Sequence, residues 1–212
     1  IAPCKQGFCP TVDAGPGVKS NTADITLHPL AKQGWLVMVN STKGEEAVAE
    51  FDLEPAQQDL LIKRDLQLAK CIQQFPDDSH IITGIMKLNA GNIPPAFWDR
   101  VAIQCVGCSG CTTLCPTCSC YGVRSTAIND KEIKQQRFWD SCLYDSFQRE
   151  ASFNNPSAKA GLRVERFWQH KFSDRFAAEF ERYGCVGCGR CEQTCPGVIG
   201  VHTVMRRIDE NA

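Results

Sequence analysis

Cysteine thiolates are ligands for soft metals, and eight of them stand in two runs of identical rhythm. The first is Cys105, Cys108, Cys111 and Cys115, followed by Pro116. The second is Cys185, Cys188, Cys191 and Cys195, followed by Pro196. Both read C-x2-C-x2-C-x3-C-P, a spacing that holds [4Fe–4S] cubanes. Three thiolates two residues apart let one tight loop cover three corners of a cube. Gly107, Gly110, Gly187 and Gly189 relieve crowding there and let backbone amides point at sulfur. The fourth cysteine lies past a turn, and in chains with two such runs it ligates the other cluster. One cluster is therefore expected on Cys105, Cys108, Cys111 and Cys195. The other is expected on Cys185, Cys188, Cys191 and Cys115. Ligands exchanged in this way should couple cluster loading to the folding of residues 95–212.

The competing metal is structural zinc, which also uses C-x2-C pairs. A 2-2-3 rhythm with a trailing proline, occurring twice, is not a zinc-ribbon pattern, although a zinc-stabilised interaction module stays open as an alternative of another class. The C-x3-C-x2-C spacing of radical enzymes is absent. With every iron of both cubes ligated by cysteine, no site is left for substrate. The expected chemistry is electron transfer, with no catalytic residue of the chain's own. Nor is there a dinucleotide fingerprint: Gly15-Pro16-Gly17 lacks G-x-G-x-x-G and precedes no expected helix, so no flavin or nicotinamide site is expected.

Six of the 14 cysteines stand outside the runs. Cys71, among apolar neighbours in a helical segment, reads as a buried thiol. Cys118 and Cys120 form C-x-C just after the first run, and Cys142 closes Trp139-Asp140-Ser141-Cys142. They are candidates for a further cluster or for packing around the sulfurs. Cys4 and Cys9 form C-x4-C, a ligand-like spacing that needs partners from elsewhere, and mark a candidate third [4Fe–4S] site. His28, His80, His170 and His202 are scattered without metal spacing and read as surface or packing residues.

The elements that must position these ligands are mainly helical. Residues 1–30 read as loop and 34–39 as a strand. Residues 44–51 and about 55–75 read as helices, the second opening at Glu54-Pro55 with Leu61, Ile62, Leu66, Ala69 and Ile72 near a 3.6 period. Pro94-Pro95 start a helix that runs to about Gln104 and straight into Cys105. Residues 121–150 read as loop and short helices. A long helix is expected over about 161–183, with Val164, Trp168, Phe172, Phe176 and Phe180 as one apolar stripe and Arg163, Arg166, Lys171 and Arg175 mostly off it, as a solvated face. Gly184 ends it, and a last helix follows Pro196 to about Arg207. The expected class is mostly α: a partial small α/β domain over 1–94, then an α-helical ferredoxin-like dicluster domain over 95–212.

Composition agrees. Twenty-three basic residues balance 24 acidic ones, which argues against a nucleic-acid partner. No apolar stretch approaches the roughly 20 residues of a membrane span. Clustered cysteines favour metal in a reducing, cytoplasmic compartment over scattered disulfides. The chain begins at Ile1, not Met, and so reads as trimmed or as part of a longer protein.

The segment Cys105 to Cys120, Trp139-Asp140-Ser141-Cys142, Lys171-Phe172 and the second run together resemble the iron–sulfur β subunit of cytoplasmic nickel–iron hydrogenases of the sulfhydrogenase type. They equally resemble the iron–sulfur subunit of anaerobic sulfite reductase. The resemblance covers about residues 94–205. It is weaker over 4–50, through Gly7-Phe8-Cys9, Gly15-Pro16 and Lys43-Gly44-Glu45. That family often has Cys-Phe-Cys where this chain has Gly7-Phe8-Cys9, and it is longer at its start. The resemblance implies a subunit set between a flavin-binding, NAD(P)H-reactive partner and a catalytic nickel–iron or siroheme partner, passing electrons from one to the other.

Overall fold

The computed structural model describes residues 3–17, 22–30 and 34–211. After a short 3-10 helix at Cys9–Val12, the chain forms an antiparallel hairpin. Its strands β1 (Ile25–Pro29) and β2 (Trp35–Val39) pair from Ile25 opposite Val39 to Pro29 opposite Trp35. Helix α1 (Thr42–Val48) is started by Ser41, whose hydroxyl accepts from the Gly44 amide at 3.1 Å and donates to Asp24 at 2.6 Å. Helices α2 (Gln58–Ile72), α3 (Ser79–Asn89) and α4 (Pro95–Ile103) follow. Pro95 at the first turn of α4 gives up no bond there and presets the helical φ.

The second half contains helices α5 (Gly110–Thr113), α6 (Ala160–Phe172), α7 (Asp174–Phe180), α8 (Arg190–Thr194) and α9 (Val201–Asn211). One hydrophobic core runs through both halves. Phe97, Trp98 and Val101 of α4 meet Val164, Phe167, Trp168 and Phe172 of α6; Ile81, Ile85 and Leu88 of α3 meet Val204, Met205 and Ile208 of α9. Phe8, from the N-terminal segment, is fully buried in the same core. No helix among the described residues is long and apolar enough to cross a membrane.

The architecture is mixed rather than chiefly helical, because the described residues also form two small two-stranded sheets. Residues 121–150, expected to be loop and short helices, instead begin with a hairpin of β3 (Tyr121–Asn129) and β4 (Glu132–Trp139). Both strands are exposed almost throughout, so no buried face imposes the alternation that betrays a strand. Cross-strand pairs hold it: Arg137 lies 4.8 Å from the Tyr121 ring and Arg124 5.6 Å from the Phe138 ring. The described part of residues 1–30, expected to be loop, contains β1 and the 3-10 helix. Helix α3 falls in a stretch for which the sequence pattern predicts no element.

The long helix expected over 161–183 is two helices. Ser173 takes an extended conformation (ψ 141°), ends α6 and caps α7, its hydroxyl accepting from the Phe176 amide at 3.3 Å. The apolar stripe divides there. Val164, Trp168 and Phe172 enter the core, while Phe176 and Phe180 pair with each other at 4.6 Å, outside it. Lys171, expected on a solvated face, is only 4% exposed.

Candidate metal centre

Two loops carry the cysteine runs, one after α4 and one after α7. Each ends in a one-turn helix, α5 or α8, that presents its third cysteine, and these two helices pack together. Left-handed backbone makes the loops tight: Gly107 and Ser109 have φ of 66° and 55°, Gly187 and Gly189 of 63° and 69°. In the second loop glycine is needed for space as well. A Cβ on Gly187 would strike the Cys9 backbone and one on Gly189 the Gln6 carbonyl, because the N-terminal segment lies across this loop. The Phe8 amide donates to the Gly187 carbonyl at 2.7 Å. The first loop is braced differently. Ser109 shares a 2.6 Å hydrogen bond with the Tyr144 hydroxyl, and Thr112 donates to Ser141 at 3.0 Å.

Each fourth cysteine leads into chain that touches the other loop. Beyond Cys195, Gly197 passes so close to the Gln104 carbonyl, one residue before Cys105, that a Cβ would collide with it. Beyond Cys115, Thr117 donates to the Gly184 carbonyl, one residue before Cys185, at 2.8 Å. The crossing is nearly symmetric. Accordingly one cavity is lined by Cys105, Cys108, Cys111 and Cys195, and by Cys191 as well. A second is lined by Cys115, Cys185, Cys188 and Cys191, and by Cys111 as well. Cys111 and Cys191 thus face both cavities, and Phe167 and Trp168 of α6 wall both.

Burial pushes Cys111 and Cys185 up to about 12 and Cys191 up to about 11. Thiols this far from water are poor sites for bare thiolate, and cationic iron reverses that balance. The sulfur donors lining each mainly apolar cavity, among them the four of each crossed set, fit a cysteine-ligated [4Fe–4S] cluster in both places. Cys115 differs. A hydrogen bond from Cys118, with further ones from Thr117 and the charge of Lys171, lowers it to about 4 and leaves Cys118 raised. The Lys171 ammonium lies 3.4 Å from Cys115 Sγ and 3.0 Å from Thr117 Oγ1. Burial pulls Lys171 down, but Cys115 and Cys118 outweigh it and hold it above the ordinary lysine value.

The other cysteines sort into three places. Cys118 joins Cys115. Cys142 is buried and faces Cys120, beside an open cleft lined also by Arg166, His170 and Arg175; burial raises it to about 11. Cys4 is exposed and Cys9 half-buried. Cys71, buried as expected, is one of two thiols whose charge acts on Cys9, the other being Cys4. The histidines are less scattered than their numbering: His80 and His202 meet, with Asp78 beside them. Burial holds Asp78 above the ordinary carboxylate value and His80 below the ordinary imidazole value. His28 is buried and shares a 2.9 Å hydrogen bond with Gln67, while His170 lies edge-on to Phe176.

Residues 104–199 match the family model of the 4Fe–4S dicluster domain. The chain is 30% identical over 214 residues to the sulfhydrogenase 2 subunit beta of Pyrococcus furiosus, an alignment covering 98% of this chain and 61% of that protein. No solved structure matches. Residues 104–199 thus carry a 4Fe–4S dicluster domain, and the chain, which spans about three fifths of that relative's length, is similar to this hydrogenase β subunit.

Proposed function

We propose that the chain is an electron-transfer subunit of a nickel–iron hydrogenase, holding two [4Fe–4S] clusters between a flavin-binding, NAD(P)H-reactive partner and the catalytic partner. The observation that carries this reading is the crossed lining of the two cavities: Cys195 of the second run lines the cavity of the first loop and Cys115 of the first run that of the second, with Cys111 and Cys191 on both. Cys105, Cys108, Cys111 and Cys195 would hold one cluster; Cys185, Cys188, Cys191 and Cys115 the other. Bound clusters supply one-electron redox chemistry with no open coordination position.

The chain's own residues supply the rest. Cys111 and Cys191 stand where the two cavities adjoin, which supports direct passage from one site to the other. Phe167 and Trp168 exclude water from both and keep the separation fixed. Lys171 places a positive charge against Cys115, a ligand of the second site.

Anaerobic purification of the native complex tests the assignment of partners. Nickel and flavin subunits co-purifying with this chain are the expected result. A siroheme subunit in their place would move the chain to a sulfite-reductase complex and sink the hydrogenase reading.

A further inference from the structure

Asp78 is the residue that opens α3, a position where aspartate ordinarily accepts a hydrogen bond from the helix's free amides. It makes no such bond. Asp77 does that work, accepting from the Ser79 amide at 2.9 Å. The Asp78 side chain turns inward instead, where it is only 6% exposed, and its Oδ1 has no hydrogen-bond donor. What it faces is His202 Nδ1 at 3.6 Å, on the first turn of α9. The same Nδ1 lies 3.3 Å from His80 Nε2. The three ligand atoms, one from each residue, all lie within 4.8 Å of one another.

The protons do not satisfy this group. His202 Nε2 lies 3.1 Å from the Gln6 carbonyl, which can only accept, so Nε2 carries a hydrogen. Neutral His202 then offers a lone pair at Nδ1, directed at a carboxylate oxygen and a second imidazole nitrogen. A hydrogen on His80 Nε2 would serve that lone pair and still leave the buried Asp78 oxygen orphaned. Protonating His202 would make an ion pair with Asp78, but at 3.6 Å it would still leave Oδ1 without a hydrogen-bond donor.

A metal ion satisfies all three at once. Tetrahedral zinc with two imidazole and one carboxylate ligand keeps its donor atoms roughly 3.3–3.5 Å apart, close to the 3.3 and 3.6 Å found here. A ligating histidine also commonly donates its other N–H to a backbone carbonyl, as His202 does to Gln6. We propose that Asp78, His80 and His202 bind one divalent transition-metal ion, zinc in chemical class, outside the iron–sulfur sites. The ion ties the start of α3 to the start of α9. Through the Gln6 carbonyl it also fixes the N-terminal segment where it crosses the second cysteine loop at Gly189.

The test uses cluster-loaded protein, equilibrated with zinc chloride without oxygen and then desalted. About one zinc per chain is expected, and X-ray absorption at the zinc edge, which is blind to iron, should show a nitrogen and oxygen shell with two imidazoles and no sulfur. Asp78→Asn and His80→Gln should each lower zinc affinity at least about tenfold while iron and sulfide stay unchanged. If one variant loses iron, the other decides. Failure to retain zinc, a zinc shell containing sulfur, or affinity undiminished in an iron-replete variant would each overturn the site.

Discussion

Cys195→Ala should empty the site formed by Cys105, Cys108 and Cys111, far upstream in sequence, and leave its own neighbours Cys188 and Cys191 still holding iron. The reason is the path of the chain after α8. Cys195 lines the cavity of the first loop, and Gly197 seats against the Gln104 carbonyl beside Cys105. Loss of about four irons per chain is expected, half the complement of two cubanes. Cys115→Ala should do the reverse, because Cys115 lines the cavity of the second loop. Electron paramagnetic resonance of the reduced variants identifies which cluster survives. If Cys195→Ala costs the cluster of the Cys185 loop, the crossed assignment is wrong. Alanine also leaves a ligand gap that destabilises both loops, so iron content is read on freshly reconstituted protein.

Lys171→Met should lower the reduction potential of the cluster on Cys115, Cys185, Cys188 and Cys191 and change the other much less. Lys171 is buried, and its ammonium contacts Cys115 Sγ at 3.4 Å. Reduction adds negative charge to the cluster, so a fixed positive charge favours the reduced state. Removing it makes reduction harder. A charge-assisted hydrogen bond is worth about 1.5–3 kcal/mol, which for one electron caps the fall at roughly 65–130 mV. Methionine keeps the length and apolar stem of lysine, so packing against Phe167, 6.0 Å from the ammonium, is largely retained. Redox titration followed by paramagnetic resonance reads the two clusters separately. Equal shifts in both, or a rise, would show that Lys171 does not act through Cys115.

The ligand chemistry was legible in the sequence because it is local. A run of four cysteines with fixed spacing specifies a loop of one size, and the trailing prolines mark where the chain must turn away. The crossing is expected on the same ground, since two copies of one run imply exchanged fourth ligands, and it remains the proposal that the cysteine variants test. Lys171 was not. It lies beside Phe172 on α6, and its burial follows from the return of the Cys115–Thr117 segment over that helix, a contact between residues more than fifty positions apart. The hairpin of β3 and β4 escaped notice because neither strand has a core face to impose alternation. The break at Ser173 was masked by an apolar stripe that continues in register across it. Asp78, His80 and His202 escaped for the plainest reason: the two histidines lie 122 residues apart and meet only through the packing of α3 on α9.

Iron and acid-labile sulfide per chain, on protein purified without oxygen, test the central claim most directly. About eight irons with matching sulfide are expected, one cubane in each of the two cavities. About twelve would add a third cluster and direct attention to Cys4, Cys9, Cys118, Cys120 and Cys142. Cysteine-bound zinc with neither iron nor sulfide would contradict the electron-transfer reading and leave a zinc-stabilised interaction module in its place.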